Sequence, residues 1–300
     1  MKARQFHQLA GQSNSRFQAL MAEGLSAIAE NCQVLDDSAE ALALANQWRG
    51  ARVLRTIADE EAGKFLILLD AVRLGRDNQR KLRGQLSRAN DHLAKGLYCK
   101  ASEIRPADFE ELQRYLQDQR ATLYLDGPND VDWMFRNQVL ANREEVLYVD
   151  LVDSEGVIGW LTPARYDAIQ MSSIPSAVRL VRSLATLGCC SSAALPLITD
   201  VWEGFVPGPK THWQEVERRV HETIDRLDAG GLIGAGFMPM DGRLIISSWT
   251  FPLHSIVLDR IVVSPDELRN RRLAIVERLN RESGGQDHDD EGGERDIPDF

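Results

Sequence analysis

Apolar residues recur at intervals of three and four along the first part of the chain, which is the spacing of one buried face of an α-helix. Between residues 16 and 46 this stripe includes Phe17, Met21 and Leu25, with few strand-forming residues between them. A second stripe runs from residue 53 to residue 74. The pattern predicts two long antiparallel helices packed as a hairpin, and Asp36 marks a candidate break in the first.

The helical character continues to about residue 125. Residues 77–101 are rich in strong helix formers, although their apolar periodicity is weaker. Pro106 and Asp108 are typical of a helix stop and restart, and residues 109–123 fit a fourth helix. The first 125 residues therefore predict a helical bundle.

The pattern changes near residue 146. Residues 146–152 and 157–161 are β-branched or aromatic and flank a turn-forming stretch, which predicts a β-hairpin. The elements expected after the hairpin are helices at 176–187, 193–202, 213–227 and 265–281 and a strand at 244–250. We therefore predict a mainly α protein with a four-helix N-terminal bundle and a smaller mixed α+β C-terminal region.

Charge is distributed unevenly along the sequence. The chain has 35 basic and 45 acidic residues, a net charge of −10, but residues 281–300 alone contain eight acids and two bases. This composition predicts a disordered acidic tail. The stretch from Arg73 to Arg105 has nine bases and three acids, so a local basic surface could bind phosphate. The predicted units are 1–147, 148–280 and the tail 281–300.

Other bulk features bear on location and cofactors. The sequence has no long uncharged apolar run and no secretory signal at residues 1–15, so we expect a cytoplasmic protein that does not enter membranes. Four cysteines lack metal-ligand spacing and are expected to be buried thiols. We predict neither a metal site nor a cofactor.

The first candidate site is the stretch A-D-E-E-A-G-K at residues 58–64. Lys64 can reach Glu60 or Glu61 on one helix face, and the pair could be a solvated ion pair or part of a site. Gly63 costs helix stability, which suggests that another backbone or a ligand approaches closely there.

The second candidate site is the stretch R-A-N-D-H-L-A-K at residues 88–95. On a helix, Arg88, His92 and Lys95 share one face. An imidazole flanked by cations could act as a general acid or base on a phosphodiester, with the cations stabilising the transition state. The alternative is that His92 caps or packs against a helix while the cations face solvent.

The third candidate is the loop rich in Asp and Asn at 126–132, which leads into Arg136 and Arg143. Asp126 and Asp130 could bind a divalent cation, but turn-forming and helix-capping roles explain the same residues without a ligand. A metal-dependent hydrolase would need Glu60 and Glu61 to converge with these two aspartates.

The order and spacing of these motifs resemble those of the AbiV-type HEPN proteins of abortive infection. The E-E-x-G-K motif is matched by Glu60, Glu61, Gly63 and Lys64, and the downstream His-x-x-Lys element by His92 and Lys95 after Asp91. The resemblance covers about residues 17–135. It implies a HEPN-like four-helix bundle, a homodimer, and a role in anti-phage defence, in many members as a metal-independent endoribonuclease.

One departure from the family pattern affects catalysis. HEPN nucleases have an Arg and a His separated by four to six residues, whereas three residues separate Arg88 from His92. Arg281 and His288 fit the spacing but lie in the predicted tail, where we interpret the match as chance. The resemblance thus allows two readings: a ribonuclease in which His92 transfers protons with support from Arg88 or Lys95, or a non-catalytic protein. Expected partners are RNA or a translation component, and in the second reading a phage protein.

Overall fold

The computed structural model describes residues 5–121, 137–154, 157–163 and 174–261, together with the single residues 267, 270, 273, 274, 277 and 281. Most described residues are helical. The helices are α1 Asn14–Leu44, α2 Trp48–Leu74, α3 Gln79–Ser87, α4 His92–Ser102, α5 Phe109–Ala121, α6 Gln138–Leu147, α7 Ser176–Thr186, α8 Ala194–Trp202, α9 Trp213–Ala229 and α10 Pro239–Ser248. The strands are β1 Asp150–Ser154 and β2 Val157–Leu161. The prediction of a mainly α protein is confirmed.

The helical hairpin of α1 and α2 forms the centre of the fold. Phe17, Met21 and Leu25 are buried on the predicted face of α1 and belong to a core that also includes residues of α2. The first helix does not break at Asp36. Instead this carboxylate is buried and accepts hydrogen bonds from Arg55 Nε at 3.3 Å and Arg182 at 3.0 Å, which joins α1 to α2 and α7.

Helix α2 packs against α1 and α4 and also against α7 and α8. One hydrophobic core therefore includes residues on both sides of the predicted boundary at 147/148. Within the described ranges, no helix is long and apolar enough to cross a membrane.

The predicted β-hairpin is confirmed, but its first strand begins at Asp150, because residues 146 and 147 complete α6. The strands are antiparallel, with Leu151 opposite Trp160. Leu151, Ile158 and Trp160 are more than half exposed, so the hairpin presents apolar side chains to solvent.

The predicted strand at 244–250 is wrong. Residues 239–248 form α10, which begins with Pro239 and is capped by Asp241, whose carboxylate accepts a hydrogen bond from the Met238 amide at 2.8 Å. These start signals favour a helix over the local β propensity of the isoleucines at 245 and 246.

The segment after α10, residues 249–258, is held against the helical bundle by a polar network. Arg73 of α2 donates to the Thr250 carbonyl at 2.9 Å and to Asp70 at 2.9 Å, and its guanidinium stacks over the Trp202 ring, 3.6 Å from the ring centroid. The Leu253 amide donates to Asp70 at 2.7 Å. A segment remote in sequence is thereby fixed to the first helical hairpin.

Candidate functional site

Three helices line one cleft, each through residues at helical spacing. The lining side chains come from α2 (Arg52, Thr56, Asp59 and Glu60), from α4 (His92, Gly96, Cys99 and Lys100) and from α6 (Val139, Asn142 and Arg143). Residues three and four apart share a face of a helix, which is why each helix supplies a stripe. The cleft therefore brings together parts of all three predicted motif regions.

Gly63 allows α2 and α4 to approach each other. A Cβ atom at this position would lie 2.4 Å from the Lys95 carbonyl oxygen and 3.0 Å from the Lys95 Cα. Both are backbone atoms, which cannot rotate away. The close backbone approach predicted from this glycine is confirmed, and it places Glu60 of α2 beside the first turn of α4.

Glu60 is the centre of the charged cluster. Its Oε1 lies 2.7 Å from His92 Nδ1 and 2.5 Å from Arg143 Nε, and its Oε2 lies 3.2 Å from Lys95 Nζ. The carboxylate is 20% exposed and the Lys95 side chain 2% exposed. A charge pair this far from water needs these contacts, because an unpaired ion would carry a large desolvation cost.

The cluster sets the protonation of Glu60. Burial by itself raises the pKa of this carboxyl, but Lys95, His92 and Arg143 together outweigh it and lower the pKa below its ordinary value. Burial also lowers the pKa of Lys95, while Glu60 counteracts that shift. Glu60 is therefore ionised at neutral pH and can orient its neighbours.

His92 has one ring nitrogen in this cluster. Nδ1 lies between Glu60 Oε1 and Lys95 Nζ, the latter at 3.2 Å. If Nδ1 carries a proton, it donates to Glu60 Oε1, and Lys95 donates to Glu60 Oε2 rather than to the ring. Nε2 has no hydrogen bond from the part of the chain that is described, and the side chain is 41% exposed. This geometry suits proton exchange with a ligand in the cleft.

Asp59, next to Glu60, has the opposite electrostatic environment. Burial and, to a smaller extent, Glu103 raise its pKa to about 6, although contact with Cys99 partly counteracts the shift. Neighbouring carboxyl groups of one helix thus have pKa values shifted in opposite directions. Such pairs are characteristic of sites that transfer protons.

The structure corrects the predicted position of Arg88. Residues 88–90 form a 3-10 turn and Asp91 caps α4, accepting from the Leu93 amide at 2.8 Å, so Arg88 does not share the helix face of His92. Its guanidinium donates to the Leu253 carbonyl at 2.9 Å and to the Ile256 carbonyl at 2.5 Å. Arg88 therefore holds the C-terminal segment, and Lys95 alone of the two predicted cations joins His92.

The E-E-x-G-K motif is divided between two surfaces. Glu60 faces the cleft, whereas Lys64 donates a hydrogen bond to Glu61 and lines a groove with residues of α1 and of the N-terminal 3-10 turn at 6–11. The expectation that Lys64 could reach either carboxylate is resolved in favour of Glu61.

Asp126, Asp130 and Arg136 lie outside the described residues. Within the described ranges, no group of three or more His, Cys, Asp or Glu side chains is placed to hold a metal ion. Several residues of the cleft were not linked to the site from sequence, among them Arg143 and Asp59. Arg143 entered only as a residue downstream of the Asp-rich loop, and Asp59 only as part of a motif.

Comparison with protein families identifies one family model that matches the chain. The family model HEPN_AbiV, described as AbiV, matches residues 20–181, which is more than half of the chain and extends beyond the resemblance seen from the motifs. Comparison with curated proteins and with solved structures finds no match. Because the family model matches more than half of the chain, the chain belongs to the AbiV-type HEPN family of abortive-infection proteins.

Proposed function

We propose that the protein is an anti-phage effector that cleaves RNA without a metal ion, with His92 as a proton-transferring group. The observation that supports this most directly is the contact of Glu60 with Nδ1 of a half-exposed histidine inside a cleft. A carboxylate on one ring nitrogen fixes the ring and leaves the other nitrogen for the substrate.

The remaining charges suit a phosphodiester. Arg52, Lys100 and Arg143 line the same cleft as His92. Guanidinium and ammonium groups bind phosphate oxygens and stabilise the negative charge that grows in the transition state. The proposed ligand is RNA, either free or as part of a translation component, and the family resemblance adds a second copy of the chain as a partner. Light scattering of the purified protein tests the homodimer, and a monomeric mass would refute it.

The test is phage plaque formation on cells that express the intact protein, His92→Ala or His221→Ala. His221 is an exposed histidine of α9, which does not line the cleft, so its variant is a matched control. We expect His92→Ala to lose protection and to leave total RNA intact during infection, at unchanged protein level. His221→Ala should behave like the intact protein. Protection by His92→Ala equal to that of the control would refute the proposal.

A non-catalytic binding protein is the second candidate, favoured by the exposed apolar side chains of the hairpin. In that case a phage protein or a translation component would bind the hairpin, and the cluster around Glu60 would only stabilise the bundle. Trp160→Ser would then abolish protection while His92→Ala retained it. The ribonuclease proposal predicts instead that His92→Ala loses protection.

A further inference from the structure

We propose that Asp59 is a second catalytic residue of the cleft, the base that takes the proton of the attacking RNA 2′-hydroxyl, while His92 is the acid. This inference rests on the proposed ribonuclease function and deepens it. Phosphodiester transfer within RNA needs one group to accept a proton and another to donate one, and a single histidine cannot do both in one step.

Position is the first argument. Asp59 and His92 line the same cleft, on the two helices that Gly63 brings together. Glu60 cannot serve as the base, because two cations and His92 already occupy its oxygens. Asp59 forms no ion pair with the described residues, and the hydrogen-bond partner of its carboxyl is the thiol of Cys99, a weak donor.

The surroundings of Asp59 are the second argument. It faces Cys99 and Lys100 of α4 and Glu103, which follows that helix. On its own helix Glu60 is adjacent, and across the cleft α6 contributes Arg143. Cys99 Sγ also donates to the Asp59 carbonyl at 3.1 Å, which fixes the backbone. Burial and Glu103 raise the pKa of Asp59 to about 6. The carboxyl is thus mainly ionised at neutral pH and is still basic enough to take a proton.

The reaction balances without a metal ion. Asp59 accepts the proton of the 2′-hydroxyl, and the 2′-oxygen forms a bond to phosphorus. The bond from phosphorus to the 5′-oxygen breaks, and the protonated imidazole of His92, held by Glu60, donates its Nε2 proton to that oxygen. The products are a 2′,3′-cyclic phosphate and a 5′-hydroxyl. Both residues return to their starting states by proton exchange with water.

The experiment measures cleavage of a fluorescent single-stranded RNA oligomer by the full-length protein from pH 4.5 to pH 9. We expect Asp59→Asn to lower kcat by about 100-fold or more, with KM changed less than about threefold, and to remove the loss of activity at acidic pH. Glu103→Gln should keep activity but move that acidic loss to lower pH, because removing Glu103 lowers the pKa of Asp59. Asp59→Glu should restore part of the rate.

The outcomes separate this inference from the proposed function. If His92→Ala is inactive while Asp59→Asn keeps kcat within about threefold, the ribonuclease function stands and the role of Asp59 is refuted. The role of Asp59 is also refuted if Glu103→Gln does not shift the pH at which activity is lost on the acidic side. Absence of cleavage by the intact protein, with a denatured oligomer and with total cellular RNA, refutes both. A cyclic phosphate end on the product supports the assigned step.

Discussion

Substituting Gly63 by alanine tests whether the close approach of α2 and α4 builds the site. The added Cβ would lie 2.4 Å from the Lys95 carbonyl oxygen and 2.8 Å from its carbonyl carbon. These atoms belong to the backbone of α4, so relief requires one helix to move by roughly 1 Å, since carbon and oxygen normally stay more than about 3 Å apart. Overpacking of this kind costs about 1–3 kcal/mol.

Alanine also has a helix propensity about 1 kcal/mol better than that of glycine, which offsets part of the cost. Since backbone cannot repack around the new methyl group, we expect Gly63→Ala to lose about 2 kcal/mol of unfolding free energy. Gly24→Ala is the matched control, because Gly24 lies within α1 and a Cβ there would meet nothing within 4 Å. This control should gain about 0.5–1 kcal/mol.

Urea unfolding followed by circular dichroism measures both variants. The expected outcome is a midpoint below that of the intact protein for Gly63→Ala and above it for Gly24→Ala. Displacement of α4 should also separate Lys95 from Glu60. Gly63→Ala should therefore reduce protection against phage by more than the loss of folded protein accounts for. Equal stabilisation by the two substitutions would refute the proposed role of the glycine.

Three further predictions concern buried charges. Glu60→Gln should lower the free energy of unfolding by about 3 kcal/mol at pH 7, because the Lys95 ammonium stays buried without its carboxylate. The folded state lowers the pKa of Glu60, so this loss should shrink in thermal melts as pH falls below about 4. Asp59→Asn should be more stable than the intact protein at pH 8, by up to about 3 kcal/mol. The raised pKa of Asp59 means that its ionised form is costly in the folded protein, so the gain in stability should vanish below about pH 4. A gain that does not depend on pH in urea titrations would contradict this. Arg73→Met should lose about 3–5 kcal/mol by guanidinium unfolding, since Asp70 would stay buried without its cation; a loss below about 1 kcal/mol would refute that.

Periodicity predicted the long helices well, because their burial is a local property of helical faces. Phe17, Met21 and Leu25 are buried where the spacing places them. Gly63 was also informative from sequence, since a glycine inside a strong helix has few explanations other than close packing. Asp36 was misleading, because a polar residue on an apolar stripe indicates a break unless distant arginines pair with it.

The composition of the cleft could not be predicted in full, because it depends on contacts between helices distant in sequence. Arg143 reaches Glu60 from α6, and no spacing rule connects those two positions. Arg88 was placed on the wrong face although a local signal existed. Asp91 directly before His92 is typical of an N-cap, and a helix that begins at His92 cannot include Arg88.

The attachment of residues 249–258 to Asp70, Arg73 and Arg88 has a consequence for the order of folding during synthesis. Domains fold as units while the chain emerges, and here α2 cannot complete its buried hydrogen bonds until the Leu253 amide and the Thr250 carbonyl have been made. A nascent chain or a fragment that ends at residue 181 lacks both of these hydrogen bonds, although Arg73 can still donate to Asp70. Helix α2, which lines the cleft, thus gains its last buried hydrogen bonds only after residues 250–253 have been synthesised.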